Sequence, residues 1–593
     1  MLKERKKMRI LLVISAFNSL SQRIFCDLRD RGETVGVTFD INDAQLIEEV
    51  TAFNPDFILS PFLKKRIPQS IWSAIPTFIV HPGIAGDRGA HALDWAIMNE
   101  EKSWGVTILQ ANGEYDAGDI YAHGTFTMPK ATKASAYRNA VSTLASKLVE
   151  ELFESLNDST FIPRSQQEYS LPGSAHLAMT QLDRRIDWEN DTTDEILKKI
   201  HAGDSHPGVI DTILDLECFL YGAHQEATLR GGIKEILAKR EGAICIGTRD
   251  GALWISHLKE RKNNSIKLPA TYVLKDRLKG VREDRLPLFV DPMLETFKEI
   301  TFYQRDEVGY LGFDFHNGAM GAHQCVRLKY AFDHLKQSGI KVLVLMGGSD
   351  FFSNGIHLNV MEDSKKSDED GWSNIHSMNE VVKSVLLCDE ILTVSSLHRN
   401  AGAGGMFLAL ACDYVIARDG VVLNPHYKTL GLHGSEYWTY SLPRRVGVQK
   451  ADELTNACLP ISAKEAVKVG LADALMSEED KKYFEELHFY CQELYADEEK
   501  YYEFLDSKRY TISNPDFLNE IQQYREKELE QMHPSFYDPN SDFNTLRKEF
   551  VYKLCPIQTP RYLRKICLKE ARFSAIATSV ADRGFALNGV KIE

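Results

Sequence analysis

A histidine and an aspartate of this chain stand in settings that are typical of acid–base chemistry. His81 follows the apolar run 77–80, and Asp116 lies 35 positions later in a glycine-containing stretch. A nearby carboxylate orients an imidazole and stabilises its charged form, so such a pair can move protons near neutral pH. Because the two residues are distant in sequence, only the fold can bring them together.

A second set of residues offers backbone amides. The stretch 353–357 (SNGIH) follows an apolar run, and the glycine-rich stretch 402–405 (GAGG) precedes another apolar run at 406–412. Oriented amides and the N-terminus of a helix stabilise an oxygen that becomes negative during a reaction. Glycines allow a ligand to approach the backbone closely.

Both sets need a scaffold to position them. Apolar runs at residues 10–14, 33–39, 56–60 and 77–80 predict buried strands, and helices are predicted over 21–31 and 133–156. The alternation of these elements indicates a parallel α/β sheet. Ligands of such sheets bind beyond the carboxyl ends of the strands, which makes the loop after residue 80 a natural site.

The chain of 593 residues is too long for one hydrophobic core, and we expect four parts. Short β-like runs occur at 243–247 and 253–257, and the polar, basic stretch 259–288 resembles a linker. Strands and helices alternate again from about 299 to 475. The remainder is rich in Glu, Lys and Tyr and predicts a helical tail with proline breaks near 514, 534, 556 and 560. The predicted parts are 1–165, 166–275, 285–475 and 476–593.

Bulk composition excludes several classes of protein. Apolar residues make up 44% and charged residues 26%, as in ordinary soluble proteins, and the net charge of −14 argues against nucleic-acid binding. We expect no membrane-spanning helix and no signal peptide, because the apolar runs are too short. The scattered cysteines form no CxxC pair, so neither a metal site nor a disulfide is indicated and a cytoplasmic location is expected.

Residues 78–120 resemble the active-site stretch of formyl-tetrahydrofolate-dependent formyltransferases. The matching motifs are HPGIAGDRG from His81, WGVT from Trp104 and DAGDI from Asp116. The stretch IDWENDTTDEILKKIHAGDSHPGV similarly resembles the start of the small, β-rich C-terminal domain of methionyl-tRNA formyltransferases. The resemblance implies a Rossmann-like first domain in which His81 and Asp116 are catalytic. We assign Asp87, Arg88, Gln22 and Arg23 to cofactor binding.

One position departs from the formyltransferase pattern. That family has an asparagine two residues before the histidine, where this chain has Ile79. The resemblance gives that asparagine a part in holding the oxyanion, and loss of one such donor usually slows a reaction about 10²–10³-fold. Another donor must therefore replace it here if transfer is to be fast.

Residues 342–413 resemble crotonases, the enoyl-CoA hydratase/isomerase family. The resemblance implies an α/β domain in which the Ile356 and Gly404 amides hold a thioester oxygen, with Gly355 and Gly405 against coenzyme A. The two catalytic carboxylates of hydratases are missing, because Phe407 and His426 align with them. A phenylalanine cannot activate water, so hydration is not expected. The candidates for a proton relay are His426, Tyr427, Glu436, Tyr437, Tyr440 and Tyr414.

The order of the two modules, together with the motifs GAGGMFLALACD and NPHYKTLGLHGSEYWTY, closely resembles the HypX-type NiFe-hydrogenase maturation factors. The resemblance implies that formyl-tetrahydrofolate gives its formyl group to coenzyme A and that formyl-CoA is then split into carbon monoxide and free coenzyme A. The carbon monoxide would become a ligand of the hydrogenase iron, with hydrogenase maturation proteins as partners. Two alternatives stay open: other chemistry of formyl-CoA, such as hydrolysis to formate, or a non-catalytic scaffold.

Overall fold

The computed structural model describes residues 7–167, 171–291, 293–554 and 556–567. The first predicted part, 1–165, therefore begins outside the described residues, and the last, 476–593, ends outside them. Within the described ranges, no helix is long and apolar enough to cross a membrane.

The first domain is built on a six-stranded sheet of order β2-β1-β3-β4-β5-β6, in which β1 to β4 are parallel and β5 and β6 form an antiparallel edge. The central strand β1 is almost wholly buried, as expected for a strand covered on both faces. Helix α1 begins where the Asn18 side chain accepts a hydrogen bond from Ser21 N. Its strands are β1 Arg9–Ile14, β2 Thr34–Phe39, β3 Phe57–Ser60, β4 Thr77–His81, β5 Ser103–Gln110 and β6 Ile120–Thr127. Its helices are α1 Ser19–Asp30, α2 Asp43–Phe53, α3 Gln69–Trp72, α4 Ala92–Met98, α5 Lys133–Ala136 and α6 Ser142–Asn157, with one π-helical turn at Tyr137–Val141.

The second domain is a small antiparallel sheet of order β7-β8-β11-β10-β9, with β12 paired to β11. Helix α7 opens with a capping box between Thr192 and Glu195. The strands are β7 Val209–Ile213, β8 Leu216–Glu226, β9 Ile236–Arg240, β10 Ala243–Gly247, β11 Ala252–Glu260 and β12 Leu268–Pro269, and the helices are α7 Thr193–Gly203 and α8 Ala270–Leu274.

The expectation of a linker over 259–288 was wrong for residues 268–278. Strand β12, helix α8 and a 3₁₀ turn at Lys275–Leu278 occupy that stretch. Leu274 and Leu278 are buried in the core of the second domain. Because polar residues surround these leucines in the sequence, the composition of the stretch did not reveal that two of its positions belong to the core.

The third domain combines a six-stranded sheet of order β13-β14-β16-β19-β21-β24 with a four-stranded sheet of order β17-β20-β22-β23. The strands are β13 Ile300–Arg305, β14 Val308–Phe313, β15 Ala319–Met320, β16 Val342–Gly347, β17 Phe351–Ser353, β18 Gly355–Ile356, β19 Leu392–Leu397, β20 Asn400–Gly402, β21 Tyr414–Arg418, β22 Val422–Asn424, β23 Ile461–Ser462 and β24 Ala474–Met476. The helices are α9 Ala322–Leu335, α10 Leu358–Asp363, α11 Ser367–Leu386, α12 Gly404–Leu410, α13 Trp438–Val446, α14 Val448–Ala457 and α15 Ala463–Lys468.

The tail is helical, as predicted, and it packs on the third domain. Its helices are α16 Asp480–Ala496, α17 Glu498–Ile512, α18 Pro515–Tyr537 and α19 Asp542–Val551. Pro515 is the first residue of α18. A backbone N–H at that position would have no partner within the helix, so a proline there costs no hydrogen bond. The break expected at Pro534 was wrong, because that residue lies inside the end of α18. Ile521, Met532 and Phe536 of this helix belong to the main core of the third domain.

Candidate active sites

The first site lies at the carboxyl end of β4. His81 ends that strand, and Asp116 sits in the turn between β5 and β6 with a left-handed backbone (φ 52°). The turn folds back tightly on β5, since a Cβ on Gly118 would overlap the carbonyl oxygen of Gln110. As a result His81 Nδ1 lies 3.5 Å from Asp116 Oδ1, so the fold brings together the two residues that the sequence singled out.

Asp87 contacts the other nitrogen of the same imidazole. His81 Nε2 lies 2.7 Å from Asp87 Oδ2, and Asp87 Oδ1 lies 2.9 Å from Nε2 of His176. The carboxylate is 3% exposed. We expected Asp87 to bind a cofactor, but the structure makes it a bridge between two histidines.

His176 reaches this bridge from the segment that joins the first two domains. That segment lies along the loop after β4, where Arg88 N donates to Ser174 O (3.3 Å) and His176 N donates to Arg88 O (3.0 Å). The backbone of Arg88, which was also predicted to bind a cofactor, is therefore hydrogen-bonded to the segment that joins the first two domains. Sequence reasoning missed His176, and no local pattern around it points to the site.

Gln22 and Arg23 lie where the first domain meets the third. Asn424 Nδ2 of β22 donates to Gln22 Oε1 (3.2 Å), so Gln22 reaches the neighbourhood of the second site. Arg23 pairs with Asp27 of its own helix and with Glu478, which precedes the tail. These ion pairs link the first domain to the segment before the tail, and the role of Arg23 in cofactor binding stays a prediction.

The second site is formed by two glycine-containing loops that almost touch. A Cβ on Gly355 would lie 3.1 Å from Gly404 N, and a Cβ on Gly405 would overlap the carbonyl oxygen of Ser353. Gly404 is the first residue of α12, and Ile356 ends β18. The amides of Ile356 and Gly404 therefore belong to loops in van der Waals contact, as an oxyanion hole requires.

Glu436 is the carboxyl group of this site. A Cβ on Gly404 would lie 2.9 Å from the carboxyl atoms of Glu436. The side chain is 4% exposed, and burial raises its pKa from 4.5 to about 7. Such a group can both accept and return a proton near neutral pH.

Aromatic rings occupy the place of the hydratase acid. Phe407 is fully buried, and its ring centroid lies 5.6 Å from that of Tyr427 and 6.1 Å from that of Trp438. This apolar cluster offers no group that could activate water. Glu436 therefore stands beside Gly404, while Phe407 takes the position of the first hydratase carboxylate.

The remaining relay candidates fall in different places. His426 Nδ1 contacts the carbonyl oxygen of Asn424 (2.9 Å), and its ring lies against Gly402; burial lowers its pKa. Tyr437 is buried next to Glu436 and precedes α13. The ring of Tyr414 packs on Tyr490 and Phe504 of the tail, and its relay role stays a prediction.

A cluster of positive side chains lies where the first, second and third domains and the tail meet. Burial and the charges of Lys259, Lys64 and Arg138 lower the pKa of Lys553, and burial lowers that of Lys267 to about 8. Arg138 bonds Asp350 (2.5 Å) and Asn317 (3.2 Å) of the third domain. We call these five residues the junction cations. The sequence did not predict this cluster, since five cations from distant segments leave no local pattern.

No described group of three or more His, Cys, Asp or Glu residues could hold a metal ion. The titratable groups at the two sites are His81 with its two carboxylates and Glu436 beside the glycine loops.

Comparison with known families agrees with this architecture. Residues 38–152 match the formyl transferase model, 178–272 match the formyl transferase C-terminal domain, and 315–536 match enoyl-CoA hydratase/isomerase. The first and second domains together are thus a formyltransferase unit, and the third is a crotonase-like unit that includes most of α18. The class of protein is a formyltransferase fused to a crotonase, as the sequence predicted.

Relatives with the same fusion extend over nearly the whole chain. The hydrogenase maturation factor HoxX of Bradyrhizobium diazoefficiens is 36% identical over 557 residues, which cover 93% of this chain and 96% of that protein. The crystal structure of HypX from Aquifex aeolicus in complex with tetrahydrofolic acid is 43% identical, covers 94% of this chain and 98% of that one, and has a TM-score of 0.91. A methionyl-tRNA formyltransferase of Geobacter metallireducens matches 218 residues at 24% identity, 36% of this chain and 68% of that protein. The chain belongs to the HypX/HoxX family of hydrogenase maturation factors.

Proposed function

We propose that the chain makes carbon monoxide for the hydrogenase iron in two steps. The His81 site transfers the formyl group of formyl-tetrahydrofolate to the thiol of coenzyme A, and the Glu436 site splits formyl-CoA into carbon monoxide and coenzyme A. The observation that carries this proposal is the Glu436 carboxyl, buried against Gly404 with Phe407 in place of a water-activating acid.

In the first step a sulfur–carbon bond forms while the nitrogen–carbon bond of the formyl donor breaks. His81 takes the thiol proton and delivers it to the departing nitrogen. Asp116 and Asp87, on either side of the imidazole, orient it and stabilise its charged form. Tetrahydrofolic acid bound to the Aquifex aeolicus protein, 43% identical to this chain, supports a folate donor here as well.

In the second step the Ile356 and Gly404 amides hold the formyl oxygen. The Glu436 carboxylate removes the formyl proton, and the carbon–sulfur bond breaks with its electron pair leaving on sulfur. The former carbon–hydrogen pair remains on carbon, which departs as carbon monoxide. Glu436 then returns the proton to the thiolate. Water is not consumed, and its exclusion suppresses hydrolysis to formate.

Coenzyme A has to serve both sites. Its phosphates are anionic, and the junction cations offer positive charge contributed by the first and second domains and the tail. The contact between Gln22 and Asn424 supports a short path for the formyl thioester from one module to the other. We infer an internal passage between His81 and Gly404; solid packing between these residues in an experimental structure would contradict it.

The test uses purified protein, ¹³C-formyl-tetrahydrofolate and coenzyme A, with haemoglobin as a trap for carbon monoxide. Release of tetrahydrofolate reports the first step, and the carbon monoxide complex of haemoglobin reports the second. His81→Ala should abolish both signals. Glu436→Gln should leave tetrahydrofolate release within about two-fold while carbon monoxide falls about 10²-fold or more.

Two other outcomes would replace the proposal. Labelled formate without carbon monoxide from the unaltered protein would mean that formyl-CoA is hydrolysed. Hydrogenase maturation that survives both His81→Ala and Asp116→Asn would mean that the chain acts as a scaffold.

A further inference from the structure

The turn that carries Glu436 is held in place by helix α18 of the tail. Tyr437 N donates to Glu528 Oε2 (2.9 Å), and Thr439 donates to Glu528 Oε1 through its amide (2.8 Å) and its hydroxyl (2.5 Å). Glu528 is 1% exposed and lies about 90 positions beyond the turn. One buried carboxylate thus accepts three hydrogen bonds from the segment that follows Glu436.

The turn needs such support because its backbone is unfavourable. Glu436 and Tyr437 are consecutive residues with left-handed backbones, at φ 63° and 57°. Each such conformation costs a non-glycine residue of order 1 kcal/mol, and it persists only where neighbouring structure holds it. Asn379 of α11 accepts a hydrogen bond from Glu436 N (2.8 Å), and Glu528 accepts the one from Tyr437 N. The two strained amides are therefore each bonded to a buried side chain.

Glu528 also caps α13. The first amides of a helix lack partners within the helix, and a carboxylate at that end is favoured by the helix dipole. Tyr437 and Thr439 flank the first residue of α13, and the Tyr437 side chain makes no capping bond. Glu528 supplies this cap from a separate helix, so the start of α13 and the direction of the Glu436 side chain are fixed together.

All three hydrogen bonds need a carboxylate, because they reach both of its oxygens and an amide offers only one acceptor oxygen. Burial raises the pKa of Glu528 to about 8, and the charge of Glu436 acts in the same direction. The other titratable groups around the pair are Arg525, which is ion-paired with Glu380, His376 beside Arg525, Tyr427, Tyr437 and Cys325. Arg525 is the cation among these residues, and Glu380 is its partner.

We propose that Glu528 is a positioning residue of the decarbonylation site, which holds Glu436 against Gly404 by fixing the turn that carries it. Helix α18 is then a working part of the crotonase-like module. This inference rests on the proposed function. It adds a residue that contacts neither folate nor thioester and that acts through the Glu436 turn alone.

The test compares three variants of the full chain in the haemoglobin assay. Glu528→Gln keeps one acceptor oxygen but removes the ionisable group. Glu528→Asp keeps the charge on a side chain one methylene shorter, and Glu530→Gln changes an exposed residue of the same helix as a control. Tetrahydrofolate release serves as the internal measure of folding, because the first domain does not contact Glu528 through any of its hydrogen bonds.

Glu528→Gln should lower carbon monoxide release about ten-fold. The loss should fall on kcat, with KM for coenzyme A unchanged, because Glu528 contacts the Glu436 turn and not the thioester. Glu528→Asp should restore part of the rate lost in Glu528→Gln, and Glu530→Gln should change neither constant. Tetrahydrofolate release should stay within two-fold in all three variants.

An unchanged rate in Glu528→Gln, with the unaltered protein still releasing carbon monoxide, would overturn this inference and leave the proposed function standing. Failure of the unaltered protein to release carbon monoxide would instead reject the proposed function itself. A lower rate in Glu528→Gln that comes from a raised KM for coenzyme A, with kcat unchanged, would place Glu528 in substrate binding and reject its positioning role.

Discussion

Glu436 should weaken the fold at the pH at which it works. Its pKa is 4.5 in an unfolded chain and about 7 in the folded protein, because burial penalises the charge. The folded state therefore holds the proton more tightly than the unfolded state. The stability gained from that proton is complete below pH 4.5 and is lost as the pH rises through 7. Replacement by the uncharged isostere, Glu436→Gln, should remove this dependence.

The size of the effect follows from the difference between the pKa of Glu436 in the unfolded chain and its pKa in the folded protein. One pKa unit corresponds to about 1.4 kcal/mol, so Glu436→Gln should stabilise the crotonase-like module by about 3 kcal/mol at pH 8 relative to its effect at pH 4.5. For a domain of this size the gain corresponds to a rise of order 10 °C in melting temperature. Glutamine can retain the hydrogen bond from Ser435 N, so packing is preserved.

The assay is thermal unfolding of the unaltered protein, Glu436→Gln and Glu485→Gln, an exposed control on α16, at several pH values from 5 to 8.5. The gap between the first two should widen with pH, and the control should track the unaltered protein. A gap that is absent or constant across this range would refute the assignment of a raised pKa to Glu436, and with it the proton-relay argument.

Three further outcomes are expected. Phe407→Glu should divert formyl-CoA toward formate, because a carboxylate there can activate water; the ratio of labelled formate to carbon monoxide measures this, and an unchanged ratio would contradict it. Asp87→Asn should slow tetrahydrofolate release about 10- to 100-fold, since hydrogen bonds to charged groups contribute about 1.5–3 kcal/mol, and His176→Gln should slow it less; equal or absent effects would argue against the bridge. Arg138→Ala and Lys553→Ala should raise KM for coenzyme A while KM for formyl-tetrahydrofolate stays constant; a rise for the folate instead would place the folate at the junction cations.

The sequence predicted the scaffold well where local patterns decide it. Strand β10 has the bounds that were predicted, and β1 differs by one residue, because runs of apolar residues between turns define buried strands. The pairing of His81 with Asp116 was also predictable, although only through the motifs around each residue. The family resemblance was confirmed along with the order of the modules.

What the sequence could not supply are contacts between distant segments. His176, Asn379 and Glu528 each contact a site from an element that is distant in sequence. The residues next to them in the sequence form no motif that would predict these contacts. The contacts of Tyr414 with Tyr490 and Phe504 of the tail left no pattern in the sequence either. The same holds for the ion pair between Arg23 and Glu478, which lie 455 positions apart.

The last described segment returns to the first domain. Thr559 Oγ1 accepts a hydrogen bond from Phe39 N (3.0 Å), and the Leu563 side chain is buried in the core of that domain. The end of the described chain therefore ties the tail back to the formyltransferase unit. Under the proposed two-step reaction, the product of one module would meet the other at an effective concentration set by geometry, which dilution of the protein does not change. The labile thioester of that proposal would then reach its second catalyst at a rate that does not depend on the amount of protein in the cell.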